Sequence, residues 1–126
     1  MMNFFNQWSV LSGAELMSAL AISYADNVEY NGVKKTAVNV LADKQKWLQR
    51  WPIQNYQVRL ESMTTNCSER IECMATGIVD WVAKNPERST AVGSSRFSFY
   101  LGKVSPERFV IMRENFVVLT NQNSGR

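Results

Sequence analysis

Beyond Pro52 the sequence alternates apolar and polar residues with few breaks, and no other feature constrains the fold as tightly. A period of two sends alternate side chains to opposite faces of a strand. Tyr56, Val58 and Leu60 share one face of a first strand. Over 71–83, Ile71, Cys73, Ala75, Gly77, Val79 and Trp81 fall together, against Glu72, Met74, Thr76, Ile78, Asp80 and Val82. Asn85-Pro86-Glu87 reads as a turn. The next strand, about 91–103, groups Phe97, Phe99 and Leu101 opposite Arg96, Ser98 and Tyr100. Ser105-Pro106-Glu107 turns again, and a last strand over about 108–120 sets Phe109, Ile111, Arg113, Asn115, Val117 and Leu119 against Val110, Met112, Glu114, Phe116 and Val118. Four long strands joined by short turns predict successive antiparallel hairpins.

The half before Pro52 has a helical period instead. Phe4, Phe5, Trp8 and Leu11 recur at helix spacing, and Ser12-Gly13-Ala14-Glu15 has the form of a capping box. Behind it, Leu16, Ala19, Leu20 and Ser23 share one helical face. A short strand is expected over 26–30, closed by the turn dipeptide Asn31-Gly32. Over about 36–50, Val40, Leu41, Trp47, Leu48 and Trp51 fit a 3.6-residue period, with Asp43, Lys44, Lys46 and Arg50 mostly on the surface side. Pro52 ends that helix.

Helices first and hairpins after argue for the α+β class, with helices packed into a strongly curved antiparallel sheet. Gly77, Gly93 and Gly102 are the positions at which such a sheet can bend. The expected shape is a half-open cone of sheet around helices. The 126 residues suffice for one domain with a real core, so a single domain over 1–126 is expected, with 121–126 a frayed polar tail.

The sequence contains no histidine, which removes the commonest general base and the commonest metal ligand together. No metal and no cofactor are expected. The net charge of +3 is scattered, without the concentrated basic face of a nucleic-acid binder, so no nucleic acid is expected as partner. No apolar run is long enough to span a bilayer, and the first residues lack the basic region of a signal peptide. Gly-rich phosphate loops and a nucleophile elbow are absent, and Ser94-Ser95 has no histidine to activate it.

Cys67 and Cys73 are not at C-x-x-C spacing. On either side of a hairpin turn they would be close enough for a disulfide, which would imply an oxidising compartment, periplasmic or otherwise exported. The alternative is two unrelated thiols, and then a cytoplasmic protein.

The order helix, helix, strand, helix, four strands resembles the nuclear transport factor 2-like, or cystatin-like, α+β cone over nearly the whole chain. Three segments are similar to a bacterial subgroup of unassigned function: 24–32 (YADNVEYNG), 42–52 (ADKQKWLQRWP), and Cys67-x5-Cys73 followed by Gly77-Ile78-Val79-Asp80-Trp81. That resemblance implies a domain often exported and a pocket inside the cone.

Candidate pocket residues are Tyr24, Tyr30, Trp47, Trp51, Asp80, Arg96 and Glu114, with Tyr100 also considered. As catalytic groups, Asp80 and Asp26 are candidate bases and Tyr24 and Tyr30 candidate donors. Each has a plainer alternative: Asp80 ion-paired with Arg96 or Arg113 or exposed on the outer face, the tyrosines and tryptophans simply packing. The expected function is a non-catalytic binding or interaction module, possessing a pocket for a small apolar ligand or docking a protein partner. The alternatives are an isomerase-type enzyme using tyrosine and aspartate, and a scaffold domain of an envelope or secretion assembly. Not all of Met74, Ile78, Val82, Tyr100 and Val117 fit inside, so a homodimer through the sheet face is expected.

Overall fold

The structure, a computed structural model, describes residues 16, 19–68, 72–87, 89–105 and 108–125. The expected helix around Phe4, Phe5, Trp8 and Leu11, the capping box at 12–15 and the strand position of Ile71 lie outside the described residues. Residues 16 and 19–21 are helical, and Leu16 and Leu20 are fully buried, as their shared face requires.

Seven strands and one long helix follow: β1 (Tyr24–Tyr30), β2 (Val33–Thr36), α1 (Ala37–Arg50), β3 (Ile53–Val58), β4 (Thr64–Ser68), β5 (Glu72–Asn85), β6 (Ser89–Ser105) and β7 (Arg108–Gly125). One sheet holds them in the order β2-β1-β7-β6-β5-β3, with β4 also beside β5. The β1–β7 pairing is parallel, so the sheet is mixed rather than wholly antiparallel.

Two strands escape the alternation argument because neither has a buried face. In β2, Lys34 and Lys35 occupy the middle, and all five residues of β4 are exposed. The turn between β1 and β2 is legible: Asn31 and Gly32 both take positive φ, 49° and 83°, as a two-residue hairpin requires. Leu60 does not continue β3 but sits exposed in a 3-10 turn, Leu60–Ser62. The tail expected to fray instead pairs with β6 as far as Gly125.

Helix α1 begins where expected. Thr36 caps it, accepting from the Asn39 N–H. Its buried face meets the inner face of the sheet, where Val40, Val79, Phe97, Phe99 and Ile111 form the main core with Leu16, Leu20, Tyr24 and Val28. Trp51 lies apart, in a smaller cluster with Ala83 and Ala91. On β5 the predicted face holds: Cys73, Ala75 and Val79 are buried and Asp80 points the other way.

On β7 strict alternation fails for an identifiable reason. Tyr100 pairs with Arg113 and Leu101 with Ile111, so Met112 is an extra residue bulging from the ladder. The bulge resets the faces. Ile111 and Glu114, three apart and expected on opposite faces, both turn inward and are buried.

Cys67 and Cys73 are register partners across the β4–β5 hairpin and form a disulfide. The expected result in thiol titration of the denatured, unreduced protein is no free thiol from this pair, and two after reduction. Closing so short a loop stabilises by about 2 kcal/mol on the chain-entropy argument. Urea unfolding of the Cys67→Ser/Cys73→Ser variant checks that figure.

Candidate functional site

Between α1, the β1–β2 turn and the inner faces of β3, β5, β6 and β7 lies a cavity of about 330 Å³. Such a volume is at the small end for ligand sites and suits a one- or two-ring molecule. Half of its described lining is aromatic: Tyr30, Trp47, Tyr56, Trp81 and Phe116. The polar groups among its described residues are Asn31, Asp43, Lys44 and Ser95.

Lys44 dominates the electrostatics, and it is the principal correction to the sequence reading. Expected on the solvated side of α1, it is 7% exposed. Position 44 lies one turn from both Val40 and Trp47, on the buried face. Its ammonium donates to Glu114 Oε2 at 2.8 Å, and Glu114 is 0% exposed. The Tyr24 hydroxyl donates to the other carboxylate oxygen at 2.5 Å. Both oxygens of a fully buried carboxylate are thereby satisfied, which is the condition for keeping a charge in a core. The Lys44 ammonium also lies over the Tyr30 ring at 5.1 Å and the Tyr24 ring at 5.8 Å.

The protonation states follow from these neighbours. Burial opposes a charge on Lys44, yet the Glu114 carboxylate outweighs it and holds the ammonium above its ordinary pKa. Burial, then the Glu114 charge, pushes the Tyr24 hydroxyl well above its usual value. Burial likewise raises Tyr56 to about 12. At neutral pH the site therefore presents an ammonium and neutral phenols. Asp43, at the rim, is ion-paired with Lys35.

The aromatic wall is hydrogen-bonded as well as packed. Tyr56 donates to Gln54 Oε1 at 2.7 Å and accepts from the Trp47 indole at 3.4 Å. The Trp81 indole donates to Ser95 Oγ at 3.0 Å. The Phe116 N–H donates to Asn31 Oδ1 at 2.9 Å, tying the β1–β2 turn to β7.

Of the residues singled out from sequence, Tyr24, Tyr30, Trp47 and Glu114 converge on this region. The others stand elsewhere. Asp80 lies on the outer face, held bidentate by Arg59 at 2.7 and 2.9 Å rather than by Arg96 or Arg113. That hydrogen-bonded guanidinium keeps its carboxyl below the usual range. Asp26 is exposed on β1, Arg96 is exposed on β6, and Trp51 belongs to the smaller cluster. Tyr100 lies outside, its ring under the Arg113 guanidinium at 5.4 Å. Lys44, Tyr56, Ser95 and Phe116 were not among the pocket candidates. A signal was present for both Lys44 and Tyr56: Lys44 lies four residues after Val40 and three before Trp47, and Tyr56 shares a strand face with Val58. No group of three or more acidic or cysteine side chains able to hold a metal occurs among the described residues, and no described helix is long and apolar enough to cross a membrane.

No family model and no curated protein matches the sequence. Solved structures do match its shape. A proposed scytalone dehydratase from Novosphingobium aromaticivorans superposes with a TM-score of 0.79 at 9% identity, covering 100% of this chain and 83% of that one. A type 2 hexachlorocyclohexane dehydrochlorinase (LinA) gives 0.76 at 7% identity, over 98% and 86%. Bd1075 of Bdellovibrio bacteriovorus gives 0.73 at 9% identity, covering 94% of this chain and 38% of that longer one. At these identities the likeness is one of fold.

Proposed function

We propose that this chain, which has the nuclear transport factor 2-like cone fold, is a non-catalytic binding module that holds a small, ring-bearing apolar ligand inside the cone. One observation carries the reading: five aromatic side chains line a cavity of about 330 Å³ whose carboxylate among the described residues, Asp43, already has a lysine partner. An aromatic wall supplies apolar area and ring stacking. With Glu114 taken up by Lys44 and Tyr24, and Asp43 by Lys35, no carboxylate at or beside the cavity is left disengaged to act as a base among the described residues.

A catalytic reading has one observation in its favour, the convergence of Tyr24, Lys44 and Glu114 beside Tyr30. Two of the structural neighbours carry enzyme names, dehydratase and dehydrochlorinase. For this chain that reading needs Glu114 to exchange its partners during a reaction, because Asp80 and Asp26 stand outside the cavity. The disulfide supports an exported location. Exposed Val92, Met112 and Val117 support a homodimer.

The binding reading is tested by isothermal calorimetry with 2-naphthol as probe. A dissociation constant on the order of 0.1–1 mM is expected for a ligand of that size. Val118, at the rim of the cavity and 57% exposed, tolerates enlargement. Val118→Trp is expected to weaken binding about tenfold or more by filling the entrance. No heat of binding, or equal binding by the variant, overturns the proposal.

A further inference from the structure

The outer face of the sheet is hollow at one corner. A concavity of about 580 Å³ lies over β3, β5, β6 and β7, on the side of the sheet that carries Asp80. Two local features deform the sheet there. Leu119 is an extra residue on β7, between Val118, which pairs with Ser95, and Thr120, which pairs with Ser94. Such a bulge bends its strand. Gly93 permits a close approach of β7, since a Cβ there would lie 2.2 Å from the Thr120 carbonyl oxygen.

The strand register sets two rows of side chains across the hollow. Asn55, Val82, Val92 and Gln122 are successive partners over the four strands, and so are Gln57, Asp80, Ser94 and Thr120. Each row spans three strand spacings, about 14 Å. The first row is an apolar floor of two valines with an amide at either end. The second has an amide, a carboxylate and two hydroxyls. Arg59 clamps Asp80 with two hydrogen bonds, so the charges of the described lining neutralise each other. The Ser94 and Thr120 hydroxyls bond each other at 2.9 Å. Asn55, Gln57 and Gln122 are exposed, and their side chains form no hydrogen bond among the described residues.

We propose that this hollow is a binding site for a neutral oligosaccharide of two or three rings. The pattern of the lining selects that class. The C–H face of a pyranose is apolar and suits the two valines. Its hydroxyls both donate and accept, as the side-chain amides at the ends of the rows do. An anionic polymer finds no unpaired cation in the described lining. A purely apolar ring would cover three amides without giving them partners. An extended peptide has no free backbone to pair with over the valines, because β5 and β6 already have strands on both sides. The site is independent of what the cone cavity holds. It leaves exposed Met112 and Val117, farther along the sheet, for a homodimer.

Titration of 15N-labelled protein with cellotriose, maltotriose and triacetylchitotriose, followed at the side-chain amide signals of Asn55, Gln57 and Gln122, tests it. Saturable shifts of these signals by at least one trisaccharide are expected, with a dissociation constant on the order of 1 mM. Gln57→Ala/Gln122→Ala is expected to raise that constant about tenfold, through the loss of two amides' hydrogen bonds. Gln45→Ala/Gln49→Ala, at exposed positions on α1, is the control and leaves it unchanged. A sulfated heparin disaccharide is expected to shift none of the three amides. No shift by any trisaccharide up to about 20 mM, well above the expected constant, overturns the proposal. So does equal binding by Gln57→Ala/Gln122→Ala, tighter binding of the heparin disaccharide, or shifts confined to the Trp47 indole inside the cone.

Discussion

Replacing Lys44 with methionine is expected to cost about 3–5 kcal/mol of folding stability, the range for leaving one member of a buried ion pair without its partner. Glu114 has no exposure through which water could compensate the loss. The Tyr24 hydroxyl would remain on one oxygen, and the other would face hydrocarbon and aromatic rings. The pair itself contributes far less than its loss suggests, because both charges give up hydration on folding. Lys44→Met/Glu114→Gln is therefore expected to recover most of the deficit. The amide keeps a carbonyl oxygen for Tyr24 and carries no charge. Urea unfolding of the two single variants and the double gives the coupling directly. A Lys44→Met variant within about 1 kcal/mol of the parent, well below the range for a broken buried pair, would mean that the pair is not formed.

The second large effect is alkaline. Lys44, Tyr24 and Tyr56 all have folded pKa values above their ordinary ones: Lys44 because Glu114 outweighs its burial, the two tyrosines chiefly because they are buried. In each case the folded state holds its proton more tightly than the unfolded chain does. Their contribution is complete below the unfolded values, roughly 10 for tyrosine and 10.4 for lysine. It is lost as pH rises above those values, since the unfolded state then binds fewer protons. Each group can remove up to about 1.4 kcal/mol per pH unit, so the three together approach 4 kcal/mol per unit at their steepest. Urea midpoints are expected to be nearly flat between pH 8 and 9.5 and to fall sharply between 10 and 11.5. Tyr56→Phe should make the fall shallower. A midpoint indifferent to pH over that range contradicts the buried cluster.

Those two effects rest on a site that was half legible from sequence. Tyr24 and Tyr30 border the first strand, and Trp47 lies on the inner stripe of α1, so composition and period sufficed to nominate them. Glu114 could be nominated, but its face could not be settled. A bulge at Met112 reverses the alternation, and a bulge depends on pairing with β6 rather than on β7 alone. Lys44 was missed for a chemical reason. Charged residues on an amphipathic helix usually face water, and only a carboxylate 70 residues away makes this one tolerable inside. Asp80 shows the converse. Its neighbours Val79 and Trp81 suggested burial, whereas the period-two rule places it outward, and there it meets Arg59.

The architecture was easier to read than the site. Long strands with one buried face, β5 and the core of β6, came through with their faces intact, as Phe97 and Phe99 show. Strands β2 and β4 did not, because an edge strand with no buried residue leaves no periodic trace. The cone was inferred from the order of elements, and its likeness to solved structures of the same fold agrees.

The binding claim is tested most directly by following the indole N–H signals in 15N-labelled protein during titration with 2-naphthol. Trp47 and Trp81 line the cavity, while Trp51 lies in the separate cluster with Ala83 and Ala91. The cone-ligand account predicts saturable shifts of the Trp47 and Trp81 signals with Trp51 little changed. Shifts confined to Trp51, or none at concentrations approaching the probe's solubility, would contradict it.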